Sequence, residues 1–458
     1  MPSATRGASD EQQPGAPVSP ADAAQAAPPT SLPHTAPKPT PAPAPASASA
    51  PDADLRHLPG SRGLRRTQLA LFGAGLATFL LLYSTQALLP ALSASMRLTP
   101  AQASLTVSAA AIGLALAVIP ASALSEKYGR TAVMTCSVFT AVALAAVIPF
   151  SPDLAVLTTL RAVQGVALAG LPATAMAYLA EEVHPSALAS AMGLYVAGNS
   201  IGGMSGRLVS GIVAGSFGWR WGLASVAVLA LLCAVAFRVL IPRARHFRPG
   251  PINPAALLRT VGSHLRNPLL GRLFVLGMLF MTVFGAVYTV MGYRLVAAPF
   301  DLPQGLASSI FAVYLVGTFA SALSARITGR FGRRGTLYLA VGTTSAGLLL
   351  TLPDSLPTAL LGLVLITAGF FTGHCVASAS VGRAVTRGRA QASALYLAAY
   401  YLGNSLGGTL GAGAYHAGGW TDTVYVGLAA MALAAAVTLY ATARAHAVTR
   451  TRVLATAR

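Results

Sequence analysis

Long apolar runs, separated by short polar turns that carry arginine, fill most of this 458-residue chain. Each run holds about 20 residues with few or no charges, enough for a helix to cross the hydrocarbon layer of a bilayer. The pattern predicts about twelve such helices, at 69–89, 101–124, 132–150, 154–179, a fifth around 195–206, 219–241, 273–293, 305–327, 336–352, 359–381, 391–417 and 423–443. The fold class expected is an all-α polytopic membrane protein with no strands.

Residues 1–66 lack an apolar run and are rich in Ala, Pro and Ser, so they are expected to stay disordered. No signal-peptide pattern stands there, and Arg62, Arg65 and Arg66 precede the first run, which predicts a cytoplasmic amino terminus. The remaining divisions expected are a first six-helix half at 67–241, a linker at 242–271, a second half at 272–443 and a basic tail at 444–458. With the amino terminus inside, Lys127, Arg130, Arg243, Arg245, Arg326, Arg330, Arg333, Arg334, Arg383 and Arg389 all fall on the cytoplasmic side. Trp219, Trp221 and Trp420 fall on the other side, where an interfacial aromatic belt is expected.

One stretch occurs twice. Tyr195-Val-Ala-Gly-Asn-Ser-Ile-Gly-Gly-Met-Ser-Gly206 recurs as Tyr400-Tyr-Leu-Gly-Asn-Ser-Leu-Gly-Gly-Thr-Leu-Gly411, a shift of about 205 positions that is far too long for a solenoid repeat. The chain therefore reads as two similar halves. Gly198, Gly202 and Gly206, and likewise Gly403, Gly407 and Gly411, clear one helix face so that another backbone can approach. Asn199 and Asn404 sit beside those faces.

Composition narrows the function. Charged residues are 9% of the chain against 54% hydrophobic ones, so the formal charge of +19 orients helices and does not bind nucleic acid. The two lysines, Lys38 and Lys127, lie in no phosphate-cradling loop, which leaves ATP-driven work to another subunit. Cys136, Cys233 and Cys375 stand far apart without metal-ligand spacing and read as small core residues, so neither metal nor cofactor is implied. Gly198-Asn-Ser200-Ile-Gly202 matches a nucleophile elbow, but no strand pattern precedes it and no acid lies inside any apolar run. A membrane-embedded enzyme built on Ser200, or on His374 with Cys375, is disfavoured because the same pentapeptide occurs in both halves.

Ser122-Ala-Leu-Ser-Glu126-Lys127-Tyr-Gly129-Arg130 resembles the signature loop G-x-x-x-D-[RK]-x-G-R of the major facilitator superfamily, with Ser122 for the first Gly and Glu126 for Asp. Gly329-Arg330-Phe-Gly332-Arg333-Arg334 keeps the basic and glycine positions of that loop and lacks the acid. The resemblance implies a secondary transporter whose two halves rock about a midplane site, with these loops as a cytoplasmic latch. Arg161-Ala-Val-Gln164-Gly165 resembles the family's R-x-x-Q-G motif, which implies a role for Arg161 in coupling or substrate binding. The stretch from Gly198 to Gly206 is similar to the antiporter motif G-x-x-x-G-P-x-x-G, with Gly203 in place of Pro, and implies proton-coupled efflux. Uptake or uniport by the same fold is the alternative.

Arg161 and Arg207 are charges placed within membrane helices, where each needs an interior partner or a watery cavity. Tyr83, Gln86 and Tyr288 occupy related places in the two halves and are candidates to hydrogen-bond a substrate, unless the tyrosines anchor at an interface. His374, inside the tenth run, has the near-neutral chemistry of a proton carrier, and a structural His satisfied by hydrogen bonds is the competing reading. Glu126, Asp153, Glu181, Glu182, Asp301, Asp354 and Asp422 all stand in or beside turns. With arginines embedded and no acid, the cavity is expected to favour a neutral or anionic solute. Proton coupling would then run through His374, the end carrying Glu181 and Glu182, or the substrate. A small molecule, a coupling proton and the bilayer are the partners expected of a monomer. Reporter fusions at Ala298 and Ser355 should read outside, and fusions at Arg245 and Arg458 inside; opposite signs at Arg245 and Arg458 would overturn the arrangement in two halves.

Overall fold

Caps written into the sequence start several of the helices. In the computed structural model, which describes residues 56–247, 249, 254–385 and 388–456, the Ser61 hydroxyl accepts from the Leu64 N–H and opens α1 (Arg62–Leu82). A short 3₁₀ turn leads to α2 (Leu89–Met96), which carries Pro90 in its first turn. A Thr99–Gln102 capping box opens α3 (Pro100–Tyr128). Gly129 then takes φ 97°, a conformation side chains resist, and α4 (Arg130–Val147) departs from it. Asp153 caps α5 (Leu154–Leu168), and α6 (Gly170–Glu182) continues the same stretch. His184 and Pro185 begin α7 (Pro185–Phe217), and α8 (Trp219–Leu240) follows.

The second half repeats the plan after α9 (Pro254–Leu265), a helix inside the expected linker. Asn267 caps α10 (Pro268–Val296); α11 (Gln304–Ala307) and a 3₁₀ turn lead into α12 (Tyr314–Leu350). Two more helices complete the fold, α13 (Leu356–Ala384) and α14 (Arg389–Thr456). α12 bends at Gly332, whose φ of 69° matches the left-handed turn at Gly129, and α14 bends at Gly418 and Gly419. Among the described residues, nine helical stretches are long and apolar enough to cross a membrane, and no strand forms beyond an isolated bridge between His57 and Val183. Twelve crossings result if each bend parts two spans and the glycine-rich α7 is also a span.

Three expectations need correction. Cys136, read as a small core residue, is exposed on α4. The first run was expected at 69–89, with Pro90 as its end; helix instead begins at Arg62, inside the stretch expected to be a disordered tail, and breaks after Leu82. Pro90 does not stop the chain because proline fits the first turn of α2, where its missing N–H has no partner to lose. Trp219 and Trp420 do not form a lipid-facing belt. Both are buried, since each indole N–H finds an internal acceptor, Ser95 Oγ and Thr351 Oγ1, both at 3.1 Å, whereas Trp221 is exposed.

The repeated glycines set close helix contacts in both halves. A β-carbon on Gly198, Gly202 or Gly206 would collide with the carbonyl oxygen of Phe72, Leu76 or Leu80, so α7 lies backbone against backbone on α1. In the second half Gly403 and Gly407 face the carbonyls of Met278 and Thr282, and Gly411 faces Ala286, giving α14 the same contact with α10. In apolar surroundings no water is released by helix association, so dispersion contact at this distance is what holds each pair.

Between the halves, α3 packs on α14 and α7 packs on α11 and the 3₁₀ turn after it. We call the end bearing Trp219 and Trp420 the tryptophan end and the opposite one the basic end. Near the tryptophan end, Gln86 donates to Thr289 (3.1 Å), Ser93 meets Tyr293 (2.7 Å), Tyr293 donates to the Leu89 carbonyl (3.0 Å) and Gln304 to that of Ala87 (2.5 Å). Ser108 of α3 adds bonds to Ser405 O and Thr409 Oγ1, both at 3.2 Å.

Gly202→Leu should force α7 off α1, and overpacking of this kind typically costs about 1–3 kcal/mol. Lower expression or a lower Tm in detergent is expected; wild-type values for both would mean that this face of α7 is not in contact.

Candidate functional site

Arg207 stands where the two halves meet. Its glycine neighbour, Gly206, is taken up by α1, so the arginine projects one step around α7 towards the break in the first span. The guanidinium carbon lies 3.9 Å from the Tyr83 ring centre, 4.5 Å from Tyr314 and 5.2 Å from Phe311, the last two contributed by the second half. Nε donates to Gln86 Oε1 (2.7 Å) and Nη1 to the Gly203 carbonyl (2.5 Å). The amide of Gln86 donates in turn to Thr289 of α10. Arg207 is 1% exposed and Gln86 3%, so this group of polar atoms is buried at the seam.

Arg161 is turned the other way. Its side chain is 0% exposed, and it donates to the carbonyls of Thr106 (3.0 Å), Leu81 (2.9 Å) and Leu82 (2.5 Å) and to Gln164 Oε1 (2.5 Å). Leu81 and Leu82 are the last residues of α1, whose carbonyls lose their helical partners at the break. Gln164 is fixed by its own donation to Ala141 O (3.0 Å). In this structure Arg161 thus ties α1, α3 and α5 together.

The other candidates divide between aromatic core and helix contact. Tyr288 is buried with its hydroxyl 2.6 Å from Thr367 Oγ1, and its ring packs on Phe284, Phe311 and Tyr314. Neither it nor Tyr83 lies at an interface. His374 stacks on Phe370 (5.8 Å between centres) and lies 4.8 Å from Tyr400, while Tyr396 Oη approaches its Nδ1 at 3.0 Å. Asn199 lies against Gly75 of α1 and Asn404 against Gly285 of α10, so both belong to the helix contacts and not to the seam site. Sequence reasoning missed Tyr314, Phe311, Thr289 and Thr367. The duplicated position of Tyr83 and Tyr288 pointed to the right layer, but nothing in the pattern marks which rings cross the seam.

At the basic end the expected latch residues make no hydrogen bond or ion pair between the halves among the described residues, although Glu126 lines a narrow crevice with Gln391 and Ala394 of α14. Arg130 pairs with Glu181 within the first half (3.0 Å) and donates to Ser125 Oγ (2.5 Å). Glu126 forms no hydrogen bond or ion pair among the described residues, and Lys127 lies over the neighbouring Tyr128 ring. Arg330, Gly332 and Arg333 occupy the corresponding exposed turn of the second half.

The family model of the Major Facilitator Superfamily matches residues 71–375. The chain belongs to the Major Facilitator Superfamily. It is 39% identical over 352 residues to the uncharacterized MFS-type transporter YybF of Bacillus subtilis (strain 168), covering 77% of this chain and 87% of that one. It is equally 39% identical over 361 residues to the inner membrane transport protein YnfM of Escherichia coli (strain K12), covering 79% and 87%. Among solved structures, a bacterial homolog of the human lysosomal transporter Spinster, inward-facing and occupied, superposes with TM-score 0.68 at 18% identity over 83% of this chain and 97% of that one. The peptide transporter POT in complex with sulfate gives 0.65 at 14% identity, over 81% and 95%.

In this superfamily member the acids ending α6 have separate partners. Glu182 is 1% exposed and accepts from the backbone N–H groups of Arg245 and His246, each at 2.8 Å, with the His246 ring at 3.2 Å. His57 pairs by main chain with Glu182 and His184, so Glu182 anchors both the residues before α1 and the start of the linker. Burial is the main cause that lowers the His57 pKa below its ordinary 6.5, with Arg245 and His246 adding to it and Glu182 opposing. The unfolded chain thus takes up this proton first, so stability falls as the pH drops below 6.5 and levels off once the folded His57 is also protonated. The Tm of wild type should fall more between pH 7.5 and pH 5.5, about one unit either side of the free imidazole value, than the Tm of His57→Gln. Equal falls would remove His57 from the balance.

Proposed function

We propose that this transporter moves a small neutral or anionic solute by alternating access, exporting it in exchange for protons across the bacterial inner membrane. In this reading the chain is a monomer with twelve crossings in two six-helix halves, 67–241 and 272–443, and both termini and the linker are cytoplasmic. The observation that carries it is the one-sided seam. Hydrogen bonds between the halves cluster towards the tryptophan end, from Gln86–Thr289 to Ser108–Thr409, while the latch residues of the basic end pair inside their own half. Polar contacts gathered at one end of the seam, with only close packing of α3 on α14 at the other, are what one of the two states of rocking about a midplane site would show.

The solute class follows from charge. Glu126, Asp153, Glu181, Glu182, Asp301, Asp354 and Asp422 lie at helix ends or in turns, Glu126 at the basic end of the seam beside Gln391, so a lipophilic cation at the middle of the seam would face Arg207 with no acid beside it. Similarity to YnfM, an inner membrane transport protein, supports the location. His374, held by Tyr396, is the protein group offered for proton coupling, with a titratable solute as the other route.

Ser108→Cys with Thr409→Cys, in a chain whose Cys136, Cys233 and Cys375 are replaced by alanine, places two thiols where hydroxyls lie 3.2 Å apart. In proteoliposomes with an imposed pH gradient, wild type should drive flux of neutral or anionic compounds from a panel. Oxidation of the paired variant should stop that flux and reductant restore it; full flux in the oxidised form would mean that the seam does not open there.

A further inference from the structure

We infer that Arg207 is the seat for the carboxylate or sulfonate of a flat aromatic anion, whose ring lies against Tyr314, Phe371 and Tyr400. This rests on the transporter reading above and narrows its solute class. The first ground is the state of Arg207 itself. Its Nη2 donates no hydrogen bond among the described residues, and no acid approaches it, although Nε and Nη1 are occupied by Gln86 and Gly203. The hydroxyl of Tyr314, whose ring lies against the same guanidinium, is buried without a partner. A buried cation with a free donor edge and no counter-ion is strongly disfavoured unless an anion completes it. Arg161 supplies the contrast, since its donors are directed to three carbonyls and Gln164.

The second ground is asymmetry. The glycines around Arg207 recur in the other half, but the arginine does not: Gly206-Arg207 corresponds to Gly411-Ala412. Helix contact therefore does not require it. Nor is Gly203 neutral to it, because a β-carbon there would lie 3.3 Å from Nη1 and press on the bond that orients the guanidinium.

The third ground is the wall. From Tyr314, rings continue through Phe284 (5.1 Å), Phe370, His374 and Tyr400, and Phe371 stands 6.4 Å from Tyr314. Phe371, His374 and Tyr400 are only partly buried, unlike Phe284 and Phe370 behind them. A planar ring can stack there, whereas a polyol would leave its hydroxyls against carbon.

Binding to the purified full-length protein in detergent is the test, with 1-naphthoate, 1-naphthamide, hexanoate and naphthylmethylammonium as probes in calorimetry. Naphthoate should bind, the amide and the ammonium should not compete, and hexanoate should be weaker for want of a ring. Arg207→Gln should weaken naphthoate by about tenfold or more, the loss expected for a hydrogen-bonded charge pair. Tyr314→Phe, which keeps the ring and removes one hydroxyl, serves if Arg207→Gln does not fold, and should weaken naphthoate by several-fold, about the worth of one hydrogen bond. Equal binding of acid and amide, or undiminished naphthoate binding in either folded variant, would overturn the assignment. Flux of non-aromatic solutes by a wild type that ignores naphthoate would also overturn it while leaving the transporter reading intact. Absence of any pH-driven flux across the panel would strike that reading first.

Discussion

The approach of α7 to α1 through bare backbone is the contact on which the rest of the arrangement depends. Gly198, Gly202 and Gly206 meet Phe72, Leu76 and Leu80, steps of four on both helices, so the two run in register without sliding. One position beyond the last of these glycines is Arg207, and shortly beyond Leu80 are Tyr83 and Gln86. The register that packs the helices also delivers the guanidinium to the ring and amide that hold it. A leucine in the glycine face would displace both at once, which ties the scaffold to the site.

Low dielectric surroundings explain why the two embedded arginines behave so differently. Neither meets a carboxylate, so each must be satisfied by neutral oxygens or by aromatic faces. Arg161 lies beside the broken end of α1, where helical carbonyls are free, and it saturates itself on them. Arg207 lies on the far side of the same break, where oxygen acceptors are few and rings are many. The break after Leu82 therefore does two things: it exposes acceptors for one cation and opens room for aromatic neighbours of the other.

Much of this was legible in the sequence, and the limits are physical. Periodic apolar runs, the twin glycine stretches and the signature loop led to the all-helical membrane fold and the family, because helix length, close packing and left-handed turns at Gly129 and Gly332 each demand particular residues at particular spacings. Hydropathy says which residues leave water, but it does not say which neighbour they meet. Trp219 and Trp420 consequently passed for an interfacial belt, although each indole is satisfied inside. The partners of Arg161 could not be read either, since free carbonyls at a helix break leave no mark in composition. The anchoring of His57 and His246 on Glu182 was invisible for the same reason: residues 57, 182 and 246 are remote along the chain and share no pattern.

What the two halves share and what they do not gives the sharpest division of labour. Shared features serve the scaffold: the glycine faces, the left-handed turns, and the buried tryptophans with their hydroxyl acceptors. Tyr83 and Tyr288 are a shared pair with different tasks, one ring against a cation and one hydroxyl against Thr367. Arg207 has no counterpart, its equivalent being Ala412, and neither has Arg161, which corresponds to Ile366. A duplicated fold needs its packing residues twice, because each half must cohere by itself. A site on the axis between the halves needs a cation once, and a second one facing it would meet like charge across the seam. Arg161, equally unduplicated, ties α1, α3 and α5 within its own half, so what sets Arg207 apart is that rings of the other half surround it.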